Sequence, residues 1–244
     1  MSLRIQKALK AEGFDPGPLD GVRGAKTQAA LRQWSDWANK LPRGIDISAY
    51  QPVVDWVTLR AQISFVAIRA SVSMSKDSLF TEHWAFAKAS KILRSAYHFF
   101  APWRDAKAQA QLLWSRIEKD PGELPVTLDV EAIAPKDGKP VTTQQLIDGT
   151  GIMIEEITKL SGRKPIFYTY SAFAQQYQLG RLWGNLPLWL ADYREGPPTV
   201  EGTGWSQYTL HQYLGDTGRI EGVKGACDQD RFRGTLAELR ALAG

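Results

Sequence analysis

The sequence predicts an α/β chain, an irregular β/α (TIM-like) barrel preceded by a small N-terminal helical module. Three observations carry this. Eight apolar, β-rich runs recur after Gly44, helical periodicity separates several of them, and the first forty residues follow a different, turn-broken helical pattern. A chain of 244 residues is long enough for one barrel with a small appendage and a sizeable core.

Residues 3–12 place Leu3, Ile5, Ala8 and Leu9 at the spacing of a short amphipathic helix that stops at Gly13. Prolines and glycines between Phe14 and Gly24 read as two successive turns. A second helix starts near Lys26 and carries Ala30, Leu31, Trp34 and Trp37 on one side. The stretch Leu41-Pro-Arg-Gly44 reads as a linker, dividing the chain into a helical unit over 1–41 and a barrel over 44–244.

The predicted strands are 44–48, 65–70, 95–100, 125–131, 165–170, 186–192, 208–213 and 226–232, with helices over 83–91, 106–118 and 143–160. Alternation of strand and helix argues for parallel strands joined by crossovers. The last three strands are linked by Gly- and Pro-rich segments with little helical pattern, so the final third of the barrel is expected to be irregular. An open doubly wound sheet is the second arrangement that fits.

Composition narrows the function classes. The chain is 43% hydrophobic and 23% charged, and 30 basic against 26 acidic residues give a net charge of only +4. No Lys/Arg cluster of the kind that follows a phosphate backbone is present, so nucleic acid is not an expected partner. The single cysteine, Cys227, rules out an intrachain disulfide. No run of about 18 apolar residues could span a bilayer, so an integral membrane protein is not expected. The start Met1-Ser-Leu-Arg-Ile-Gln lacks a secretory pattern, and cytoplasmic synthesis is the expectation.

In a β/α barrel the active site lies at the C-terminal ends of the strands. Acids recur at or near those ends: Asp46, Asp129, Glu131, Asp192, Asp228 and Asp230. Asp129 and Glu131 are two apart, so on a strand both point to one face, separated by roughly 6.5 Å along the chain. Carboxyl groups about 5 to 10 Å apart across a sugar suit glycosidic hydrolysis, one as acid and the other as nucleophile, base or charge stabiliser. An Asp-x-Glu alone most often marks a solvated strand end. Here it follows Val126, Leu128 and Val130, an apolar run that exposes carboxylates only at a barrel mouth.

Tyr50, Tyr97, Tyr168, Trp189, Tyr193 and Tyr213 fall near the same ends and offer faces for sugar C–H groups, with Tyr170 close by. Asp46, Asp129 and Asp228 could instead surround a hard divalent cation, but no phosphate-binding glycine loop accompanies them. His83, His98 and His211 lack zinc-ligand spacing, and His98 reads equally as a group orienting a carboxylate or as a bonded core histidine. There is no Gly-x-Ser-x-Gly elbow for serine chemistry. Neither a cofactor nor a metal is expected.

The ordered set Gly44-Ile-Asp-Ile-Ser, Phe65-Val-Ala-Ile-Arg-Ala, Ala96-Tyr-His-Phe-Phe and Leu128-Asp-Val-Glu resembles the Chalaropsis-type lysozymes of glycoside hydrolase family 25. The similarity continues through Pro165-Ile-Phe-Tyr-Thr, Leu188-Trp-Leu-Ala-Asp-Tyr, His211-Gln-Tyr and Asp228-Gln-Asp-Arg-Phe. It implies a muramidase that cuts the β-1,4 bond between N-acetylmuramic acid and N-acetylglucosamine, with Glu131 as acid and Asp129, Asp46 and Asp228 completing the site. Whether Asp129 or the substrate's acetamido oxygen attacks stays open. A wall-binding protein without catalysis, or another retaining barrel enzyme such as a chitinase, are the alternatives.

Gln6-x-x-Leu9, Gly13-Phe14, Leu19-Asp-Gly21 and Gly24-x-x-Thr27 resemble a peptidoglycan-binding helical module. The combination resembles bacteriophage endolysins, which implies a monomer acting on peptidoglycan glycan strands once the host membrane has been permeabilised.

Overall fold

The computed structural model describes residues 2–135 and 138–244, so Met1 of the predicted 1–41 unit lies outside the described residues. The chain begins with α1 (Ser2–Ala11) and α2 (Ala25–Ala38), then enters β1 (Arg43–Ile47), α3 (Trp56–Leu59), β2 (Phe65–Val72), β3 (Ser75–Lys76) and α4 (Phe80–Ala89). β4 (Leu93–Phe99), α5 (Ala106–Ile117), β5 (Thr127–Asp129), α6 (Thr143–Ser161) and β6 (Ile166–Tyr170) follow. The chain closes with α7 (Ser171–Tyr177), α8 (Leu179–Trp183), β7 (Leu188–Ala191), β8 (Leu210–Leu214), β9 (Asp228–Phe232) and α9 (Leu236–Ala243).

Eight strands close into a barrel in the order β1-β9-β8-β7-β6-β5-β4-β2, with β2 pairing back onto β1 and β3 folded as a short antiparallel extension of β2. Each predicted run overlaps one of the eight barrel strands, with ends that differ by up to a few residues. The prediction of parallel strands fails at β9, which runs antiparallel to both β8 and β1. A parallel return needs a long crossover, usually a helix, whereas the 215–227 link has none and turns straight back. The link between β7 and β8 is also free of helix, so the final third of the barrel is irregular as expected.

Alternation along the strands separates two surfaces. Ile45, Ile47, Val66, Ile68, Leu128, Phe167, Leu188 and Leu190 point outward and are fully buried under the helices, in one cluster with Leu113 and Ile117 of α5 and Met153 and Ile157 of α6. Burying each such side chain stabilises by about 1.5–3 kcal/mol. The opposite parity faces the barrel interior. There Phe65, Ala67, Ile166, Tyr168, Trp189, Leu210 and Phe232 fill the lower part, and the upper part carries the polar groups described below. At the base Gly44 is required: a Cβ there would lie 2.3 Å from the Phe65 ring on its paired strand.

The N-terminal helices form their own small core of Ile5, Leu9, Ala30, Leu31, Trp34 and Ala38. Gln6, buried in α1, ties the helix to the following turns by donating to Asp20 Oδ1 and to the Val22 carbonyl, both at 2.9 Å, and by accepting from the Gly21 N–H at 2.8 Å. Among the described residues no helix is long and apolar enough to cross a membrane.

β5 is only three residues long yet delivers the Asp129 region, so its approach must be fixed from outside. Arg94, at the start of β4 and almost fully buried, does this. Its guanidinium donates to Asp120 at 2.8 and 3.0 Å and to Glu123 at 2.8 and 3.1 Å, and it lies over the Trp84 ring at 4.4 Å. The pair with Arg94 and Lys88 holds the Asp120 carboxyl down at about 2. Removing Arg94 leaves Glu123 without its counter-charge, Asp120 with Lys88 alone, and a gap under Trp84. We expect Arg94→Ala to destabilise the chain by about 3 kcal/mol, lowering the melting temperature by about 6–12 °C in a calorimetric scan.

Candidate active site

The inward residues of β1, β5 and β9 bring four carboxylates to one end of the barrel. Asp46 lies near the C-terminal end of β1, Asp129 ends β5, and Glu131 follows two residues later on the same parity. Asp228 reaches the same mouth for a reason the sequence reading did not contain. It is the first residue of β9, and the antiparallel direction of that strand sets it opposite Asp46 in register. All four line one cavity of about 680 Å³.

Four of the predicted aromatics, Tyr50, Tyr97, Tyr168 and Trp189, line this cavity. Tyr168 and Trp189 meet edge to face with ring centres 5.0 Å apart. Tyr193 lies on a second groove of about 450 Å³, which shares Glu131 and Tyr168 with the first cavity. Tyr213 is a correction. It points outward from β8, beneath the Arg231 guanidinium at 3.8 Å, with its hydroxyl donating to Gln229 at 2.9 Å. The alternation that turns Gln212 inward turns Tyr213 out.

Gln212, not predicted as a site residue, organises the acids. Its Oε1 accepts from the Tyr168 hydroxyl at 2.9 Å and the Tyr193 hydroxyl at 2.5 Å, which fixes the amide so that Nε2 donates to Asp46 at 2.7 Å and to Asp228 at 3.4 Å. Asp230 lies directly beneath. It is fully buried and accepts from the Trp189 indole N–H at 2.9 Å, and burial, then Asp46 and Asp228, push its carboxyl pKa well up. Parity with Leu210 and with Asp228 was the sequence signal for these two residues.

Arg69, on the inward parity of β2, supplies the cationic side of the cavity. Asp77, buried in the following segment, accepts from Arg69 Nε at 3.0 Å and from the N–H groups of Ala49 and Leu79, and Arg69 lies over Tyr50 at 5.0 Å. Asp129 is also buried, but its Oδ1 has no hydrogen-bond partner.

Burial is the first cause that raises the carboxyl pKa values here. Asp46 is pushed well up by burial and then by Asp228, and Asp129 by burial and then by Glu131 and Asp46, with Arg69 opposing. Burial raises Glu131 as well, and burial followed by Asp216 and Glu131 lifts Asp228 to about 6. Such a site retains protons where free carboxylates would have lost them.

The remaining candidates lie elsewhere. Asp192 is tied by Arg194 at 2.6 and 2.7 Å and faced by Arg4 at 3.7 Å, so it does not join the four acids. His98 is a core histidine. Gln109 Oε1 accepts from the Ala101 N–H, so His98 Nε2 donates to it at 3.0 Å, and Nδ1 accepts from Ser71 at 2.8 Å. Burial pushes His98 and His211 down to about 4, so both are neutral. Among the described residues no group of three or more His, Cys, Asp or Glu side chains is disposed to hold a metal ion.

Comparisons with known proteins agree with this fold. The Escherichia coli K12 protein YegX is 29% identical over 207 residues, covering 82% of this chain and 72% of its own. Lysozyme M1 of Streptomyces globisporus is 30% identical over 216 residues, covering 82% and 71%. The crystal structure of the bacterial lysozyme from Streptomyces coelicolor superposes with a TM-score of 0.73 at 27% identity, covering 84% of this chain and 97% of that one. The sequence profile described as Glycosyl hydrolases family 25 matches residues 45–223, which contain Asp46, Asp129 and Glu131, while Asp228 and the N-terminal helices fall outside it. With most of its length matched by that profile, and a barrel shared with a solved lysozyme, this chain belongs to the glycosyl hydrolases of family 25 and is a glycoside hydrolase.

Proposed function

We propose that the chain is an N-acetylmuramidase that hydrolyses the β-1,4 bond between N-acetylmuramic acid and N-acetylglucosamine in peptidoglycan. The observation that carries this reading is the place of Glu131. It stands where the acid-lined cavity and the side groove meet, so a glycan lying across both presents its linking oxygen to that carboxyl. The likeness to a relative named a lysozyme supports the choice of polymer.

In this reading Glu131 is the proton donor. Burial keeps its carboxyl protonated above the ordinary range, and its position at the junction lets it give the proton to the departing oxygen. As the bond breaks, positive charge grows on the sugar ring in the deeper cavity. Asp129 faces that cavity with an Oδ1 that no described residue bonds, and Asp46 stands beside it, oriented by the Gln212 amide. Asp228, on the opposite strand, adds negative potential. Preset acceptors stabilise such charge strongly, because they need not reorganise. Tyr168 and Trp189 give the sugar an apolar face to lie on.

We expect Glu131→Gln to slow the clearing of a purified peptidoglycan suspension by about 10³-fold, the usual contribution of a positioned acid. Equal clearing by both proteins would overturn the assignment. Reduction of the products with borohydride should convert muramic acid at the new chain ends; reduced glucosamine there would indicate a chitinase-like cut instead.

A stability measurement probes the same acids. The fold raises the Asp129 pKa above its unfolded value, so the favourable contribution is present below the unfolded carboxylate range and is lost as pH climbs through the raised value. Asp129→Asn should therefore melt higher than the native chain at pH 8, by about 2–4 °C for about 1 kcal/mol in a chain of this size. The gap should narrow toward pH 4 while activity is lost at both.

A further inference from the structure

Residues 2–41 are not merely tethered to the barrel. Asn39 accepts from Arg231 at 3.3 Å and the Pro42 carbonyl accepts from the Phe232 N–H at 2.9 Å, so the connection to β1 has no slack. The main contact lies elsewhere, on the segment that follows β7. Arg4 of α1, whose side chain is 17% exposed, donates to the Pro197 carbonyl at 3.1 Å and to the Glu195 carbonyl, and faces the buried Asp192 carboxylate at 3.7 Å. Between these carbonyls Gly196 adopts φ +86, and a Cβ added there would sit 3.3 Å from Leu31 and 3.6 Å from Ile5. The crest of the segment thus rests on the helical unit's own apolar core. Arg23–Glu195 at 2.5 Å and Lys7–Glu201 at 2.7 Å flank the contact, but both pairs are exposed and add little.

The other side of this segment faces the side groove, whose wall includes Tyr193, Arg194 and Thr199 opposite Glu131 and Tyr168. The segment is also coupled to the acids. The Asp192 N–H donates to the Gln212 carbonyl at 3.1 Å, and the Tyr193 hydroxyl reaches the Gln212 amide that holds Asp46. Among the described residues, 192–209 contain no helix or strand that could brace this wall internally. Ser171 of α7 donates to the Thr199 carbonyl at 3.1 Å and ties the far end to the barrel, so the order of the 193–197 part depends on what covers it.

We infer that the N-terminal helical unit is a structural part of the substrate groove, with Arg4 as a positioning residue that braces the 192–200 wall against which a glycan lies beyond Glu131. This rests on the muramidase reading for the identity of the ligand, but not for the bracing itself. A unit acting only as a wall anchor would affect capture of insoluble wall and nothing else. A brace affects binding of a short soluble glycan as well, because the groove itself changes.

The test compares the full-length chain with Arg4→Met, which keeps the apolar stem while removing the donors, and with Arg32→Ala, at an exposed position on α2. Hydrogen exchange measures the bracing without any ligand, and a melting curve checks that each variant folds. Arg4→Met should exchange faster across 192–200 with the β1, β5 and β9 amides unchanged; unchanged exchange in 192–200 sinks the proposal. Calorimetric titration of a soluble peptidoglycan tetrasaccharide into the Glu131→Gln background then reads the consequence. Adding Arg4→Met should weaken binding about fivefold, and in the active enzyme raise KM by a similar factor with kcat within about twofold. Adding Arg32→Ala should change neither. Native-like binding of the tetrasaccharide by Arg4→Met, with loss confined to intact sacculi, would overturn the brace in favour of an anchor. Should the Glu131→Gln chain bind no glycan at all, the muramidase reading fails separately from the exchange result, and the groove assignment falls with it. Should Arg4→Met not fold, Gly196→Ala, which strains the crest of the same segment, is put through the same two measurements and judged by the same outcomes.

Discussion

Five carboxyl groups, two buried and three half-buried, crowd one barrel mouth, and much of the surrounding structure follows from keeping them there. Asp46, Asp129, Glu131 and Asp228 line the cavity and Asp230 lies under them, each with its pKa raised first by burial. The repulsion is held within bounds by a few fixed donors. Gln212 is aimed at Asp46 by two tyrosine hydroxyls, and Trp189 donates to Asp230. Among the described residues one oxygen of Asp129 has no partner. That is costly for the folded chain and useful for a ligand, since a buried unmet acceptor favours whatever can meet it.

The outer layer supplies the rigidity that makes this tolerable. The fully buried Ile45, Ile47, Leu128 and Phe167 on the outward parity lock the strands under the helices. Arg94 sets the approach to the three-residue β5. Because residues alternate strictly, the same packing that drives Leu128 outward forces Asp129 inward. The acids thus owe their orientation to their hydrophobic neighbours. The segment after β7 lacks such a layer of its own, and the N-terminal helices provide it through Arg4, Ile5 and Leu31.

The fold was legible because its signal is local and repeated. Each barrel strand overlaps an apolar run bounded by turn residues, and the parity of Val126, Leu128 and Val130 placed Asp129 and Glu131 on the other face without any tertiary knowledge. Four of the six aromatics were placed in the acid-lined cavity and Tyr193 in the adjoining groove, whereas Tyr213 was not, since an aromatic in a strand gives the same local signal whichever face it takes. The Arg69–Asp77 pair and the bond from Gln212 to Asp46 join residues on different elements, and no local pattern announces them.

By itself the sequence determined which residues form strands, which carboxylates share a face with one another, and that the last connections lack helices, because periodicity, parity and turn chemistry act over a few residues. Only the tertiary structure decided the direction of β9, and with it the placing of Asp228 opposite Asp46. It also decided that Gln212 and Asp230 govern the charge of the site and that Arg4 supports its outer wall. These depend on contacts between distant segments, whose geometry exists only once the barrel has closed.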